Sequence, residues 1–227
     1  MATSGTSTFT LDLRDIVEEA YELCGLEVRS GMDYRSARRS MDLLFIRWAQ
    51  KGINFWTIEE GTTALTAGTE TVTLDADDLD VLEIYTRTNA GTVNQNDLHI
   101  KQIGLKDWAQ YPTKKSRGRP VNVWVEKRRD APVLHLWPVP DQAYTLVYHT
   151  LTRIEDSGTP GTNDADVPWR FLPALTSGLA LEIARKRAAE RIPVIEPIYR
   201  EDWLDATSAD RERRPTKFSP NLNPYRR

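Results

Sequence analysis

The sequence predicts an α+β protein: a four-helix bundle, formed by the N- and C-terminal helices, with an inserted β-rich domain and an extended C-terminal tail. Three observations support this fold class. Apolar residues recur with helical spacing near both ends of the chain, residues 53–152 alternate with a period close to two, and residues 211–227 are basic and interrupted by prolines. The period separates helix from strand because side chains repeat every 3.6 residues on a helix and every two on a strand.

Two amphipathic helices are predicted in the first fifty residues. Residues 11–25 place apolar side chains on one face and end at Gly25, which can adopt the left-handed conformation that closes a helix. Residues 33–51 form a second apolar stripe, with Asp33 as the expected N-cap and Gly52 as the expected stop. The outer face of this second helix is basic.

The middle of the chain has the character of β-strands. Five segments rich in β-branched and aromatic residues lie between turn signals: 69–76, 80–87, 121–128, 132–139 and 144–151. In the fourth segment both alternating sets of side chains are largely apolar, so we expect both of its faces to be covered. A short helix is expected at 104–111, between strands.

Two further helices are predicted near the C-terminus. They follow a loop of turn-forming residues at 155–167 and span about 168–190 and 194–210, with Pro193 forcing the break between them. No predicted helix is long enough to be stable alone in water, so one bundle is the simplest way to bury all four stripes. The predicted organisation is the N-terminal half of the bundle at 1–52, the inserted β domain at 53–152, the C-terminal half of the bundle at 153–210 and the tail at 211–227.

Charge is segregated along the chain. The net charge of the 227 residues is −3, yet residues 211–227 carry six basic and one acidic side chains, which leaves −8 for residues 1–210. An acidic body argues against a general nucleic-acid-binding protein but allows a local basic patch. The single cysteine, Cys24, excludes an intramolecular disulfide. No signal peptide and no stretch of about 18 apolar residues is present, so we expect no membrane partner.

No residue pattern predicts catalysis, a cofactor or a metal ion, and we expect the protein not to be an enzyme. His135 and His149 lie on neighbouring predicted strands and could approach each other, but no other ligand accompanies them at metal-site spacing. The acidic run 75–80 lacks the glycine and glutamate of a calcium loop. Cys24 lies on an apolar helix face, where a thiol packs as a small hydrophobe. Nucleotide-binding and nucleophile motifs are absent.

Two basic clusters are candidate contacts to DNA or to a protein partner. They lie on the outer face of the second helix and in segment 114–120. Their members are Arg35, Arg38, Arg39, Lys114, Lys115, Arg117 and Arg119. Such charge runs are usually solvated surface; the alternative is a patch that faces phosphate or an acidic protein. In a ring, either cluster could line a DNA channel, where phosphate contacts carry no sequence preference.

Five stretches occur in an order that is informative. "VEEAYELCGLE" (17–27) and "SARRSMDLLFIRWAQKGINFWTIEE" (36–60) give two amphipathic helices that run into an aromatic-rich strand. "LHLWPVPDQAYTLVYHTLTRIED" (134–156) has a Pro-x-Pro-Asp turn between strands, and "DVPWRFLPALTSGLALEIARKR" (166–187) has a Gly-Leu-Ala helix; "EPIYREDWLDATSADRERR" (196–214) precedes the tail. Together, over about 11–214, they resemble the head-to-tail adaptor proteins of short-tailed bacteriophages, also called head-completion or tail tubular protein A-like proteins.

The resemblance implies a structural virion protein at the head–tail junction, assembled in the cytoplasm of the bacterial host. Such adaptors form a homo-oligomeric ring, usually a dodecamer, below the portal. The ring extends the DNA channel, retains packaged double-stranded DNA through non-specific contacts until genome ejection, and docks the tail nozzle or tail fibres during tail assembly. Their C-terminal tail reaches along the portal. The residues that match this portal-binding role by position and chemistry are Arg213, Arg214, Lys217, Phe218, Leu222, Tyr225, Arg226 and Arg227.

The composition of the tail sets a condition on that role. Ordering seventeen residues costs more free energy than the burial of Phe218, Leu222 and Tyr225 returns. The tail therefore docks stably only where a partner supplies backbone hydrogen bonds or negative charge. Its three prolines lower the cost of ordering the chain and divide any strand pairing into short pieces.

Two other classes of function stay open at this point. In the first, the β domain is a binding module that recognises a host glycan or protein, as Trp108, Trp124 and Trp137 suggest, although strand tryptophans are more often core. In the second, the protein is a cell-wall hydrolase that aids genome entry. Carboxylates are plentiful, but no catalytic pair can be chosen from the sequence.

Overall fold

The computed structural model describes residues 5, 9–51, 55–159 and 164–210. In these residues the chain forms five helices and eight strands. In chain order they are α1 (Leu13–Leu23), α2 (Gly31–Lys51), β1 (Ile58–Leu65), β2 (Thr71–Thr73), β3 (Asp78–Thr88), β4 (Asn96–His99), β5 (Lys101–Ile103), α3 (Leu105–Gln110), β6 (Asn122–Glu126), β7 (Val133–Trp137), β8 (Tyr144–Thr152), α4 (Leu172–Arg187) and α5 (Ile192–Ala209).

The α+β class is confirmed, but the predicted four-helix bundle with one inserted β domain is wrong. The described residues contain five helices and two four-stranded sheets. Helix α4 contacts each of α1, α2 and α5, and from Leu172 to Ala184 only Pro173 is exposed. The sequence of α4 is apolar or small on every face, which is typical of a helix enclosed by its neighbours. The other three helices therefore surround α4 instead of sharing a bundle with it.

The core of the helical region is aromatic and closely packed. The ring of Trp48 in α2 lies 5.8 Å from that of Phe171 and 5.0 Å from that of Trp203, and its indole N–H donates to the Tyr199 hydroxyl at 3.0 Å. Gly178 in α4 has no room for a side chain, since a Cβ there would lie 2.9 Å from atoms of both Leu44 and Tyr199. This glycine allows α2 and α5 to approach α4 closely.

The eight strands form two sheets, in the orders β1-β8-β3-β4 and β2-β7-β6-β5. All pairings are antiparallel except that of β5 with β6. The first sheet joins distant parts of the chain, because β1 pairs with β8 from Ile58–Leu151 to Leu65–Tyr144. Buried side chains from both sheets, such as Ile84 and Leu136, share one core, so the two sheets form a sandwich.

Several predicted element boundaries need correction. Asp33 lies inside the first turn of α2, which begins at Gly31, and is not its N-cap; the predicted stop, Gly52, lies outside the described residues. The chain breaks between α4 and α5 at Ala188, before Pro193, which lies in the first turn of α5 and does not end α4. Gly25 has a φ of +69°, which confirms its role at the end of α1.

Within the β region, four of the five predicted strands are found close to their predicted positions, and the short helix α3 is confirmed. The first predicted strand is reduced to the three residues of β2, and β1, β4 and β5 are additional to the five predicted segments. His135 in β7 and His149 in β8 belong to different sheets, so the prediction that these two histidines lie on neighbouring strands is wrong. Among the described helices, none combines the length and the hydrophobicity that a membrane crossing requires.

Candidate interaction surfaces

The exposed face of α2 combines apolar and basic side chains. Met32, Arg35, Arg39, Leu43 and Ile46 are all exposed, and three or four residues separate each from the next. Residues with this spacing lie on one face of a helix. We call these five residues the α2 stripe. Three large apolar side chains of the stripe are in contact with solvent: Met32 is 67 % exposed, Leu43 52 % and Ile46 49 %.

The third candidate arginine of this helix, Arg38, has a different environment. Its side chain is half-buried, and its Nη2 donates to the carbonyl oxygen of Ser157 at 2.9 Å. The hydroxyl of Ser157 in turn donates to Asp42 of α2 at 2.6 Å. Arg38 therefore fastens the segment after β8 to α2, which leaves Arg35 and Arg39 as the exposed pair of the three.

The opposite side of α2 is fixed to α4 by ion pairs. Arg187 contacts Asp33 at 2.5 Å, and Glu182 pairs with Arg47 of α2 and with Arg185 of its own helix. The hydrogen bond from Arg187, together with backbone N–H groups at the start of α2, holds the pKa of the Asp33 carboxyl below its ordinary value. These contacts fix the orientation of α2 and therefore the direction in which the α2 stripe faces.

The basic segment 114–119 lies on the sandwich. Lys114 donates to the carbonyl oxygen of Trp108 at 3.0 Å and lies 5.3 Å from the centre of its ring. Lys115 approaches Glu70 at 3.4 Å in an exposed pair. Arg117 is exposed and Arg119 half-buried. The structure therefore does not bring the two predicted basic clusters together. Lys114 is exposed but also donates to the Trp108 carbonyl oxygen of α3.

A second exposed apolar surface was not predicted. A groove of about 1090 Å³ lies on the helical region, between α1, the start of α4 and α5. Its apolar lining includes Phe9, Leu11, Leu23, Trp169, Leu172 and Ile198. Phe9 and Trp169 are each 76 % exposed, and the carboxylates of Glu19 and Asp202 also line the groove. We call this surface the apolar groove; an exposed patch of this type marks an interaction site.

The sequence carried a weak signal for this groove. The helical spacing in the predicted helices 11–25 and 194–210 places Leu23 and Ile198 in their apolar stripes, yet neither side chain is buried. The stripes are wider than the surface that contacts α4. Trp169 follows Pro168 in a single turn of 3₁₀ helix that buries Phe171 and leaves Trp169 exposed. The side chain of Arg170, next in sequence, donates to Asp210 at 3.1 Å, so the described chain ends beside the groove.

The three tryptophans of the sandwich pack against other groups of the protein. Trp108 of α3 stacks on Trp124 of β6, with ring centres 6.0 Å apart. Trp137 stacks on Tyr111 at 4.1 Å, and its indole N–H donates to the Thr113 carbonyl at 3.0 Å. These rings attach α3 and its following segment to the outer face of the second sheet. Their geometry favours packing over a glycan-binding platform.

Two of the groups considered for chemistry, His135 and Cys24, have close partners. Nε2 of His135 lies 2.9 Å from Glu126. The Cys24 thiol is buried and contacts the carbonyl oxygen of Ala180 at 3.2 Å, and burial raises its pKa, which disfavours the reactive thiolate. In the part of the chain that the structure describes, no group of three or more His, Cys, Asp or Glu residues is placed to hold a metal ion.

The predicted portal-binding tail lies outside the described residues. Its members are Arg213, Arg214, Lys217, Phe218, Leu222, Tyr225, Arg226 and Arg227. Their portal-binding role therefore stays a prediction.

The chain matches the model of a known protein family. The family model described as SU10 adaptor protein matches residues 12–218 of this chain. The match spans α1 to α5, both sheets and the first eight residues of the tail. None of the curated proteins matches the chain.

Proposed function

Because the chain belongs to the SU10 adaptor protein family, we propose that it is a phage head-to-tail adaptor that forms a ring below the portal. The observation that carries the proposal is the family match over residues 12–218, nearly the whole chain. Membership of an adaptor family implies a structural protein of the virion that contacts portal and tail proteins. In our proposal the ring extends the DNA channel, retains packaged DNA until ejection and docks the tail nozzle or fibres.

We propose that different parts of the chain have different roles in the assembly. The helical parts, at 1–52 and 153–210, form the ring; the sandwich, at 53–152, faces the tail; and residues 211–227 bind the portal. The helical region supports its assigned role because it carries two exposed apolar surfaces, the α2 stripe and the apolar groove. The ring number, twelve, and the restriction to short-tailed phages come from the resemblance alone.

The basic side chains are assigned to anionic surfaces. Arg35, Arg39, Lys115 and Arg117 are exposed and could meet either packaged DNA or an acidic protein. Contacts of this kind to phosphate are sequence-independent and weaken with salt. A ring that only retains and guides DNA requires no contacts beyond these sequence-independent ones.

Deletion of residues 211–227 tests the tail. We expect the truncated chain to lose co-sedimentation with portal rings of the same phage, whereas the full chain sediments with them. A matched pair of variants locates the effect: Phe218→Ala with Leu222→Ala and Tyr225→Ala should weaken binding, whereas Thr216→Ala with Ser219→Ala and Asn221→Ala should not.

Two results would contradict the proposal at different levels. Unchanged binding of the truncated chain would contradict the portal-binding tail. Electron micrographs of the full chain with portal rings that show no additional ring on the portal would contradict the adaptor function itself.

A further inference from the structure

We propose that the α2 stripe of one copy of this chain docks into the apolar groove of the next copy, so that neighbouring subunits join head to tail. The inference rests on the proposed function, because a ring of identical subunits requires such a contact. It names two surfaces that must meet and the residues on each.

The first step is the shape of the two surfaces. A helix that presents apolar side chains with spacings of three and four residues is the form that hydrophobic grooves bind. In the α2 stripe Leu43 and Ile46 are three residues apart, and Met32 lies eleven residues before Leu43, about three helical turns away. The apolar groove offers Phe9 and Trp169 as exposed apolar counterparts. A single contact would remove both sets of apolar side chains from water.

The second step is their placement. Thr176 of α4 lines the groove, whereas a Cβ on Gly178 would lie 2.9 Å from Leu44 of α2. Residues two apart on a helix point about 200° away from each other, so the groove and α2 lie on nearly opposite sides of α4. One molecule cannot close this contact on itself. Two different surfaces that meet across copies give a head-to-tail interface, which closes into a ring when the rotation fits.

The third step is charge. The stripe contains Arg35 and Arg39, one helical turn apart, and the groove is lined by the carboxylates of Glu19 and Asp202. The same contrast holds for whole helices: α2 has five basic and two acidic residues, whereas α5 has four acidic residues and one basic. The two surfaces are therefore complementary, and the acidic groove disfavours DNA as its occupant.

The tail of the same chain is the rival occupant of the groove. Residues 211–227 are basic, carry three large apolar side chains and follow Asp210, which Arg170 holds next to Trp169. A second copy is the better occupant because it also covers the three apolar side chains of the α2 stripe, which the tail would leave exposed.

Disulfide trapping between two variants of the full chain, each with one added cysteine, tests the contact. Leu43→Cys in the stripe and Ile198→Cys in the groove are both at exposed positions, and the native Cys24 is buried. In a concentrated mixture under mild oxidation, we expect the mixed disulfide to form several-fold faster than in a control mixture of Val93→Cys, on the exposed turn after β3, with Ile198→Cys. Equal rates in the two mixtures would overturn the proposal.

Mixing two blocked variants tests the direction of the contact. Leu43→Asp with Ile46→Asp blocks the stripe, and Phe9→Asp with Trp169→Asp blocks the groove; we expect each to weaken self-association at least about tenfold. Each variant keeps one intact surface, so in the trapping assay a stripe-blocked chain with Ile198→Cys and a groove-blocked chain with Leu43→Cys should still form the mixed disulfide. Loss of trapping in this mixture would contradict a head-to-tail contact.

Two further experiments distinguish the proposed contact from the rival explanations. A synthetic peptide of residues 211–227, added to the chain that lacks them, should leave the trapping rate unchanged; if the peptide abolishes trapping, the tail is the occupant and the proposal fails. If the wild-type protein binds portal rings but the cysteine variants show no stripe–groove trapping, this inference alone is overturned. Trapping without portal binding would support the inference and contradict the proposed function.

Discussion

The helical region and the sandwich differ in how far their own residues cover their apolar surfaces. The sandwich covers the outer face of its second sheet with its own α3, through stacked pairs such as Trp108–Trp124. The helical region leaves the α2 stripe and the apolar groove in solvent, around a helix, α4, that is almost wholly enclosed. The difference indicates where an apolar docking surface lies: the exposed apolar side chains of the helical region stand beside a rigid core and are suited to a partner.

The largest expected effect comes from the aromatic core of the helical region. Trp48→Ala should lower the free energy of unfolding by about 3–5 kcal/mol, because it leaves a large cavity beside Phe171 and Trp203. Urea unfolding followed by circular dichroism measures the loss. Trp124→Ala, on the outer face of the sandwich, is the matched control and should cost clearly less; equal losses would break the contrast between the two regions.

A substitution in the sandwich tests whether that region is packed as tightly. Gly61 of β1 lies directly opposite Tyr148 of β8, and a Cβ on it would lie 2.2 Å from the tyrosine ring. Gly61→Ala should therefore destabilise the fold by about 1–3 kcal/mol in the same urea assay. In a Tyr148→Ala background the penalty should nearly vanish. A penalty that persists there would show that the ring is not the cause.

The ion pair of α2 with α4 predicts a pH dependence for the helical region. The folded pKa of Asp33 is lowered, chiefly by the hydrogen bond from Arg187, so its stabilising contribution is complete above the unfolded carboxyl pKa of about 3.9 and is lost as the pH falls through the folded value. Asp33→Asn should therefore reduce stability at about pH 7 and matter much less at about pH 2.5.

Thermal unfolding at both pH values measures the difference. Glu126, in the sandwich, is the control: its pKa is lowered chiefly by Arg128, but the pair is largely exposed, so Glu126→Gln should change stability less. A deficit of Asp33→Asn that does not shrink in acid would contradict the assignment to Arg187.

The smallest effect is expected from two adjacent lysines of the sandwich. Lys115→Met should change the unfolding free energy by no more than about 0.5 kcal/mol, because its pair with Glu70 is exposed. Lys114→Met should cost more, since Lys114 donates to the Trp108 carbonyl. Hydrogen exchange of the α3 amides would rise in the second variant only. The same increase in both would contradict a role of Lys114 in fastening α3.

The sequence predicts the helices well because their apolar stripes are local patterns. In α1, for example, the helical period alone places Leu13, Ile16 and Ala20 on one face. All three are buried. The enclosure of α4 was missed because its outer faces are filled by small residues, such as Ala174, Ser177 and Gly178, which interrupt no stripe. Their presence on every face of the helix was the available signal.

The two sheets and the candidate surfaces depend on contacts distant in sequence. Nothing local in β1 identifies β8 as its partner, because the paired residues lie far apart in sequence, as Ile58 and Leu151 do. The α2 stripe and the apolar groove are likewise defined by what α4 leaves uncovered, which periodicity does not report. The family resemblance, by contrast, used the order of several segments along the chain and correctly indicated an adaptor.

The central position of α4 has a consequence for synthesis of the protein. Helix α2 ends at Lys51 and α4 at Arg187, so at about 5–20 residues per second the ribosome takes roughly 7–27 s to supply the helix that α1 and α2 must pack against. The sandwich is complete at Thr152, before α4 begins. The sandwich is therefore the first part that can fold on the nascent chain. Until α4 is synthesised, the apolar faces of α1 and α2 stay exposed. A protease assay on nascent chains should find the sandwich protected first.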